Sequence, residues 1–268
     1  MSRLIIFTDL DGTLLDHENY SFAPAMEALK LIEGEKIPLV ICSSKTRAEI
    51  EVYREKLGNS HPFIAENGGG IFIPMGYFGP GKPEWETGGD YHLIRLGASY
   101  QDLRGALTSL RSGGWAVRGF GEMTEEQISR LTGLSLNEAA LAKMREFDEP
   151  FVLDSGSAAG LPEAIAAMGF AHTMGRLNHI LGAGSGKGRA VAILTELFRD
   201  KLGEITTIGA GDSPNDASML GAVDIPFLVR QPGGDWKPMG EIPNLRLALG
   251  AGPAGWNRMI LEIIRAGS

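Results

Sequence analysis

The chain has 268 residues, 43% of them hydrophobic, with a formal net charge of −8 and one cysteine. That much apolar content can bury a sizeable core in one large or two smaller domains, while the acidic balance argues against a nucleic-acid or anionic-membrane surface. Cys42 alone cannot close an internal disulfide, and the sequence shows no basic-then-apolar leader and no membrane-length apolar run, so a soluble cytoplasmic protein is the expectation.

The first predicted element is an apolar strand over residues 4–10, which carries Asp9-Leu10-Asp11-Gly12-Thr13 at its carboxyl end. Asp9 and Asp11 would share a face of a continuing strand, but the turn signalled by Gly12 lets them diverge, so one can attack while the other handles a proton. Carboxylates this close favour a divalent cation or a retained proton, and both suit phosphoryl transfer. The duller alternative is an acidic turn that only caps a strand. A helix at 24–34, a strand at 37–42, a helix at 47–57 and a strand near 63–65 follow, an alternation that indicates a parallel sheet with covering helices. Past the second strand, Ser43 is placed to donate to a phosphoryl oxygen, with Ser44 or Thr46 available to cap the next helix. Past the third comes Glu66-Asn67-Gly68-Gly69, either a hairpin turn or a substrate contact at a strand's carboxyl end.

Gly79-Pro80-Gly81-Lys82-Pro83 is a dense breaker cluster, and the exit from the first domain is expected there. Between it and Gly182 the pattern changes to a strand at 91–96, a helix at 99–111, a strand at 115–118, two short helical stretches and a strand at 151–153. The earlier style resumes with a helix at 187–198, strands at 205–208 and 225–229 and a helix at 256–265. Lys187 opens its helix, where the macrodipole disfavours a cation, so an anionic partner nearby is expected. The strand at 205–208 closes on Gly209-Ala210-Gly211-Asp212-Ser213-Pro214-Asn215-Asp216. Pro214 fits a first helical turn, which puts Asp212 at the strand end and Asp216 in the helix opening. Two acidic loops can then share one hard divalent cation. A P-loop reading of residues 181–188 fails, because Leu181 stands where its first glycine belongs and Gly188 where its Ser or Thr belongs. A cysteine-phosphatase reading of Cys42 to Arg47 lacks one residue of the required spacing.

Asp9 to Thr13, Ser43, Lys187 and Gly211 to Asp216, in that order, resemble the haloacid dehalogenase superfamily of phosphatases. The resemblance narrows to its mannosyl-3-phosphoglycerate phosphatase family through residues 42–47, Glu66 to Gly69, Arg145-Glu146-Phe147-Asp148-Glu149-Pro150 and Gly175-Arg176-Leu177-Asn178-His179, and it spans nearly the whole chain. The stretch 182–186 departs from that family, which would carry an Asn-Asp pair before the lysine. The resemblance implies an α/β fold: a Rossmann-like parallel-sheet core (1–81 and 183–268) with an inserted α+β cap domain (82–182), hinged at 79–83 and 182–186. It implies a magnesium-dependent phosphomonoester hydrolase working through an aspartyl phosphate, converting mannosyl-3-phosphoglycerate to mannosylglycerate and phosphate, or else acting on another sugar phosphate or phosphorylated sugar acid. Neither nucleic acid nor membrane is an implied partner.

By the same resemblance Asp9 is the nucleophile, Asp11 the acid and base held by Thr13, and Ser43 and Lys187 contact the phosphoryl group. Mg2+ is ligated by Asp9, Asp212 and the Asp11 carbonyl, with Asn215 and Asp216 orienting the loop. Ser44, Lys45, Glu66, Asn67, Arg145, Glu149, Arg176 and His179 are the substrate candidates, Arg176 first and Lys45 second for a substrate carboxylate. The competing class is a phospho-aspartate receiver or a non-catalytic ligand-binding module. Asp11 and the large cap argue for turnover instead.

Overall fold

The computed structural model describes residues 3–266. Its first half runs β1 (Arg3–Thr8), α1 (Met26–Gly34), β2 (Leu39–Cys42), α2 (Arg47–Leu57), β3 (Phe63–Ala65), β4 (Gly70–Pro74), β5 (Glu86–Gly88), β6 (Tyr91–Arg95), α3 (Tyr100–Ser112) and β7 (Ala116–Gly119). Then come α4 (Glu125–Thr132), α5 (Leu136–Ala142), β8 (Asp148–Ser155), α6 (Leu161–Ala167), β9 (Phe170–Met174), β10 (Asn178–Gly182), α7 (Lys187–Leu202), β11 (Ile205–Gly211), α8 (Ala217–Leu220), β12 (Ile225–Arg230), β13 (Arg246–Ala251) and α9 (Gly252–Ala266).

The larger sheet has the order β13-β12-β11-β1-β2-β3-β4-β6-β5. It is parallel from β13 to β3 and antiparallel beyond. Strand alternation divides its two faces. Ile5 and Phe7 pack with Ala190, Val191 and Leu194 of α7, while Ile6 packs with Ala28 of α1 and Ile260 of α9. Both faces of β1 are therefore dry, which is why it reads as a continuous apolar run. The bounds of α2 follow from its ends. Thr46 and Glu49 form a reciprocal capping box and Gly58 ends the helix in the left-handed conformation at φ 61°.

The cap is a second, antiparallel sheet in the order β7-β8-β10-β9. Helices α3 and α6 cover one face, where Leu107 and Ile165 pack with Val117, Phe151 and Ile180. Helices α4 and α5 form the other layer, with Ile128 and Ala139 packed with Val152 and Leu177. This second layer meets the core directly: the Thr46 hydroxyl donates to the Leu141 carbonyl at 3.0 Å, and Arg47 pairs with Glu146 at 3.1 Å.

One boundary differs from the sequence expectation. The strand expected at 91–96 within the insert is β6, and it belongs to the core sheet, pairing Leu93 with Phe72 and Ile94 with Ile71. The breaker cluster at 79–83 is thus a loop between two strands of the core sheet. The chain leaves for the cap through Leu96, Gly97 and Ala98 and returns through Gly182. The two crossings press together, since a Cβ on Gly182 would lie 2.3 Å from the Ala98 nitrogen. Strands β5, β9, β10 and β13 and helix α6 are additional to the predicted elements. No helix of the described residues is long and apolar enough to cross a membrane.

Candidate active site

The parallel strands β1, β2 and β11 point their carboxyl ends at one edge of the core, and every core motif lies there. Asp9 follows β1 directly, fixed by its N–H donating to the Ala210 carbonyl on β11 at 2.9 Å. Beyond it the chain turns at Gly12, whose φ is +77°. A Cβ at Gly12 would stand 2.6 Å from an Asp212 oxygen, so glycine lets the two acidic loops meet.

Lys187 at the start of α7 is 1% exposed and reaches under both loops. Its Nζ donates to Asp9 Oδ1 at 2.7 Å and to Asp216 Oδ1 at 2.6 Å, which is the anionic partner its position called for. The other Asp216 oxygen accepts the backbone N–H groups of Asp212 and Ser213 at 3.0 and 3.2 Å. Asp216 thus braces the loop, while Asp9 and Asp212 line a cavity above it.

The trio Asp9, Asp212 and Asp216 offers carboxylate oxygens within 4.8 Å of one another, all buried. Burial drives the Asp9 carboxyl well above its ordinary range; Lys187 pulls it down, and Asp216, Asp212 and Asp11 push it further up. Burial, helped by Asp216, pushes Asp212 up to about 7. Burial would lower the Lys187 ammonium, yet Asp216 and Asp9 hold it above its ordinary value. One lysine does not neutralise the cluster. An all-oxygen, under-neutralised donor set fits a hard divalent cation.

Asp11 lies farther out, its side chain 37% exposed, and pairs with Lys45 Nζ at 3.0 Å. The expected Thr13 contact is absent: the buried Thr13 hydroxyl and Asp11 Oδ1 have no hydrogen-bond partner, while Lys45 pairs with the other Asp11 oxygen. Lys45 also lies 3.5 Å from Glu49 and 5.2 Å from the centre of the Tyr20 ring. Ser43 is buried, and its Oγ accepts the Lys45 N–H at 3.2 Å, leaving its own proton available to a ligand.

The cavity is lined from the core by Asp9, Asp11, Ser44, Lys45, Asp212 and Asn215, and from the cap by Arg145, Arg176 and His179. It has a volume of about 140 Å³, and beside it a second cavity of about 470 Å³ shares His17, Tyr20, Thr132, Arg176 and Lys237. Together they reach the size of an ordinary small-molecule site.

Three residues expected to meet substrate are used otherwise. Glu66 is fully buried, and its carboxylate accepts the N–H groups of Glu146, Phe147 and Asp148 at 2.8 to 3.1 Å, so it holds the entry to β8. Asn67 donates to Asp148 Oδ2 at 2.8 Å, and its oxygen accepts from Asn215 at 3.3 Å. Glu149 accepts from Arg104 and from the Gly121 N–H, 2.7 and 2.8 Å away. None of the three lines the cavity. Glu66 and Asn67 both bond to Asp148, which the sequence reading did not single out. Asp148 is fully buried and accepts from Arg145 at 3.0 Å and from His179 at 2.9 Å, besides Asn67. Arg145 in turn donates to the Ser44 carbonyl at 2.7 Å, which ties the cap to the second core loop. Lys237, Gln231, Tyr20 and His17 were also missed. Gln231 and Lys237 follow the end of β12, and the rule that ligands gather outside the carboxyl ends of parallel strands could have found them.

Comparison with known proteins agrees with this geometry. Residues 6–76 match the model of a haloacid dehalogenase-like hydrolase family. The chain is 47% identical over 264 residues to a glucosyl-3-phosphoglycerate/mannosyl-3-phosphoglycerate phosphatase of Methanococcoides burtonii, covering 97% of each. It is 41% identical to a protein of the same description from Persephonella marina, again over 97% of each. A mannosyl-3-phosphoglycerate phosphatase of Pyrococcus furiosus is 36% identical over 84% of this chain and 90% of its own. Among solved structures, Thermoplasma acidophilum 0175 superposes with a TM-score of 0.69 at 17% identity, covering 98% of this chain and 99% of that one. A subclass IIB sugar phosphatase of the haloacid dehalogenase superfamily gives 0.64 at 16%, covering 98% of each, and both likenesses speak to the fold. With relatives this similar over nearly its whole length, the chain belongs to the haloacid dehalogenase-like hydrolases and, within them, to the mannosyl-3-phosphoglycerate phosphatase family.

Proposed function

We propose that this chain hydrolyses hexosyl-3-phosphoglycerate, the mannosyl compound and its glucosyl counterpart, to the glycosylglycerate and phosphate. The observation that carries the chemistry is the buried Asp9–Lys187–Asp216 array beneath a cavity that Asp9, Asp11 and Asp212 line. The names of the relatives support the substrate. The division that fits is a core of residues up to 96 and from 183 onward, with the cap between.

Asp9 attacks phosphorus in line, forming an aspartyl phosphate as the bond to the glycerate oxygen breaks. Asp11 gives its proton to that leaving oxygen and then takes one from the water that cleaves the acyl phosphate. For the first step its carboxyl must come away from Lys45. Lys187 keeps Asp9 oriented and offsets charge on the transferring group, with the Ser43 hydroxyl donating to a phosphoryl oxygen. Magnesium, held by Asp9, Asp212 and the Asp11 carbonyl, would supply the remaining charge neutralisation on the phosphoryl oxygens. Asp216 and Asn215 hold the loop that presents Asp212. The cap excludes water while the first step proceeds.

A screen of phosphorylated sugars and sugar acids with purified protein tests this reading. Mannosyl- and glucosyl-3-phosphoglycerate should rank first in kcat/KM. Preference for a simple hexose phosphate would remove the substrate assignment and leave the reaction type standing.

A further inference from the structure

We propose that Lys237, from the loop between β12 and β13, and Arg176, from the cap hairpin between β9 and β10, together grip the carboxylate of the substrate. The inference rests on the hexosyl-3-phosphoglycerate reading and names the residues of core and cap that select it.

Such a substrate carries a phosphate and a carboxylate on one three-carbon unit, so a second cationic anchor must lie close to the reacting centre. Most cations near Asp9 are committed elsewhere. Lys187 is held by Asp9 and Asp216, Lys45 by Asp11 and Glu49, and Arg145 by Asp148 and the Ser44 carbonyl. Lys45, the second choice from sequence, is therefore displaced. Arg176 and Lys237 line both the inner and the outer cavity, and among the described residues neither makes a side-chain hydrogen bond or a close ion pair, although the Lys237 charge acts on the nearby Asp212 carboxylate. One belongs to the cap and the other to the core.

The loop that carries Lys237 is built to stay in place. Gln231 donates to the Asp212 carbonyl at 3.2 Å and also to the Asp212 carboxylate. Its N–H donates to the Asp235 carbonyl at 2.9 Å, and the Arg230 guanidinium lies 5.4 Å from the centre of the Trp236 ring. Lys237 follows directly. The loop thus links a candidate metal carboxylate to a cation at the cavity mouth. A carboxylate bridging Lys237 and Arg176 would also hold the cap against the core, so the correct substrate would help to close its own site.

The test is steady-state kinetics with magnesium on mannosyl-3-phosphoglycerate and on glycerol 3-phosphate, which lacks the carboxylate, for wild type, Lys237→Gln, Lys237→Arg, Arg176→Gln and the double glutamine variant. Losing one hydrogen bond to a charged group corresponds to roughly 10- to 100-fold. Lys237→Gln should raise KM for the mannosyl compound by that factor relative to its effect on glycerol 3-phosphate, and Lys237→Arg should recover most of the loss. Because both residues hold one carboxylate, the double variant should lose much less than the product of the single losses. Equal losses on the two substrates, or multiplicative losses in the double variant, overturn the clamp while the substrate reading stands. Absence of mannosyl-3-phosphoglycerate turnover by wild type overturns the substrate reading, and the clamp with it.

Discussion

Removing the Asp148 carboxylate should loosen the cap and cost more stability than any exposed ion pair. Asp148 is fully buried, and three side chains from three segments converge on it: Arg145 at 3.0 Å, His179 at 2.9 Å and Asn67 at 2.8 Å. The Arg145 side chain is only 5% exposed, so Asp148→Ala leaves a guanidinium buried, with Glu49 at 3.8 Å as its next carboxylate. Breaking a buried pair from one side costs about 3–5 kcal/mol. At roughly 2–4 °C per kcal/mol for a chain near this size, Tm should fall by about 6–20 °C. The pH dependence has a definite sign. Burial opposes ionisation of Asp148, but His179 and Arg145 outweigh it and hold the carboxyl below its ordinary value. A depressed carboxyl stabilises the fold at every pH above its unfolded value of about 3.9, and the benefit drains away as pH falls through the lower folded value. The stability gap between wild type and Asp148→Asn should be present at neutral pH and close as pH falls below ~4. Thermal and urea melts across that range provide the measurement. Equal Tm values at pH 7, or a gap that persists undiminished below pH ~4, would refute the reasoning.

Asp9→Asn should abolish turnover while leaving a folded protein, since the amide is nearly isosteric but does not attack phosphorus; activity comparable to wild type removes the nucleophile assignment. Lys187→Met strands two buried carboxylates that now share an ammonium at 2.7 and 2.6 Å. It should therefore lower both kcat and Tm, and a variant as stable as wild type would show that the array carries no strain of charge. Chelation should remove activity and magnesium restore it, with calcium a poor substitute because its looser coordination misplaces nucleophile and phosphorus. Full activity after exhaustive metal removal would contradict the role given to Asp212.

The sequence was most legible where local chemistry decides the outcome. Thr46, Glu49 and Gly58 announce both ends of α2, and the two Asp-containing glycine turns follow strands buried on both faces. Legibility failed where distant pairing decides. The residues of β6 have the composition of any half-buried strand, and only their register against β4 assigns them to the core. Strand β13 escaped notice because its Leu-Ala-Leu-Gly-Ala run has no β-branched or aromatic residue and no alternation with polar ones to mark it as a strand. Glu66 and Glu149 had the right type and position for ligand contact. Whether a carboxylate at a strand end meets a ligand or a backbone N–H depends on how the chain turns, and Glu66 and Asn67 both turn through the left-handed region, at φ 51° and 55°.

The central claim is a covalent aspartyl phosphate on Asp9, resolved by Asp11. Its most direct test uses Asp11→Asn with p-nitrophenyl phosphate and magnesium, because so good a leaving group needs no protonation and only the second step should stall. Intact-mass measurement after acid quench should find one added phosphoryl group, mapped to Asp9 and absent from the Asp9→Asn/Asp11→Asn double variant. Release of p-nitrophenol by Asp11→Asn at a sustained rate, with no phosphorylated protein at any time point, would contradict the account and point to direct attack by water.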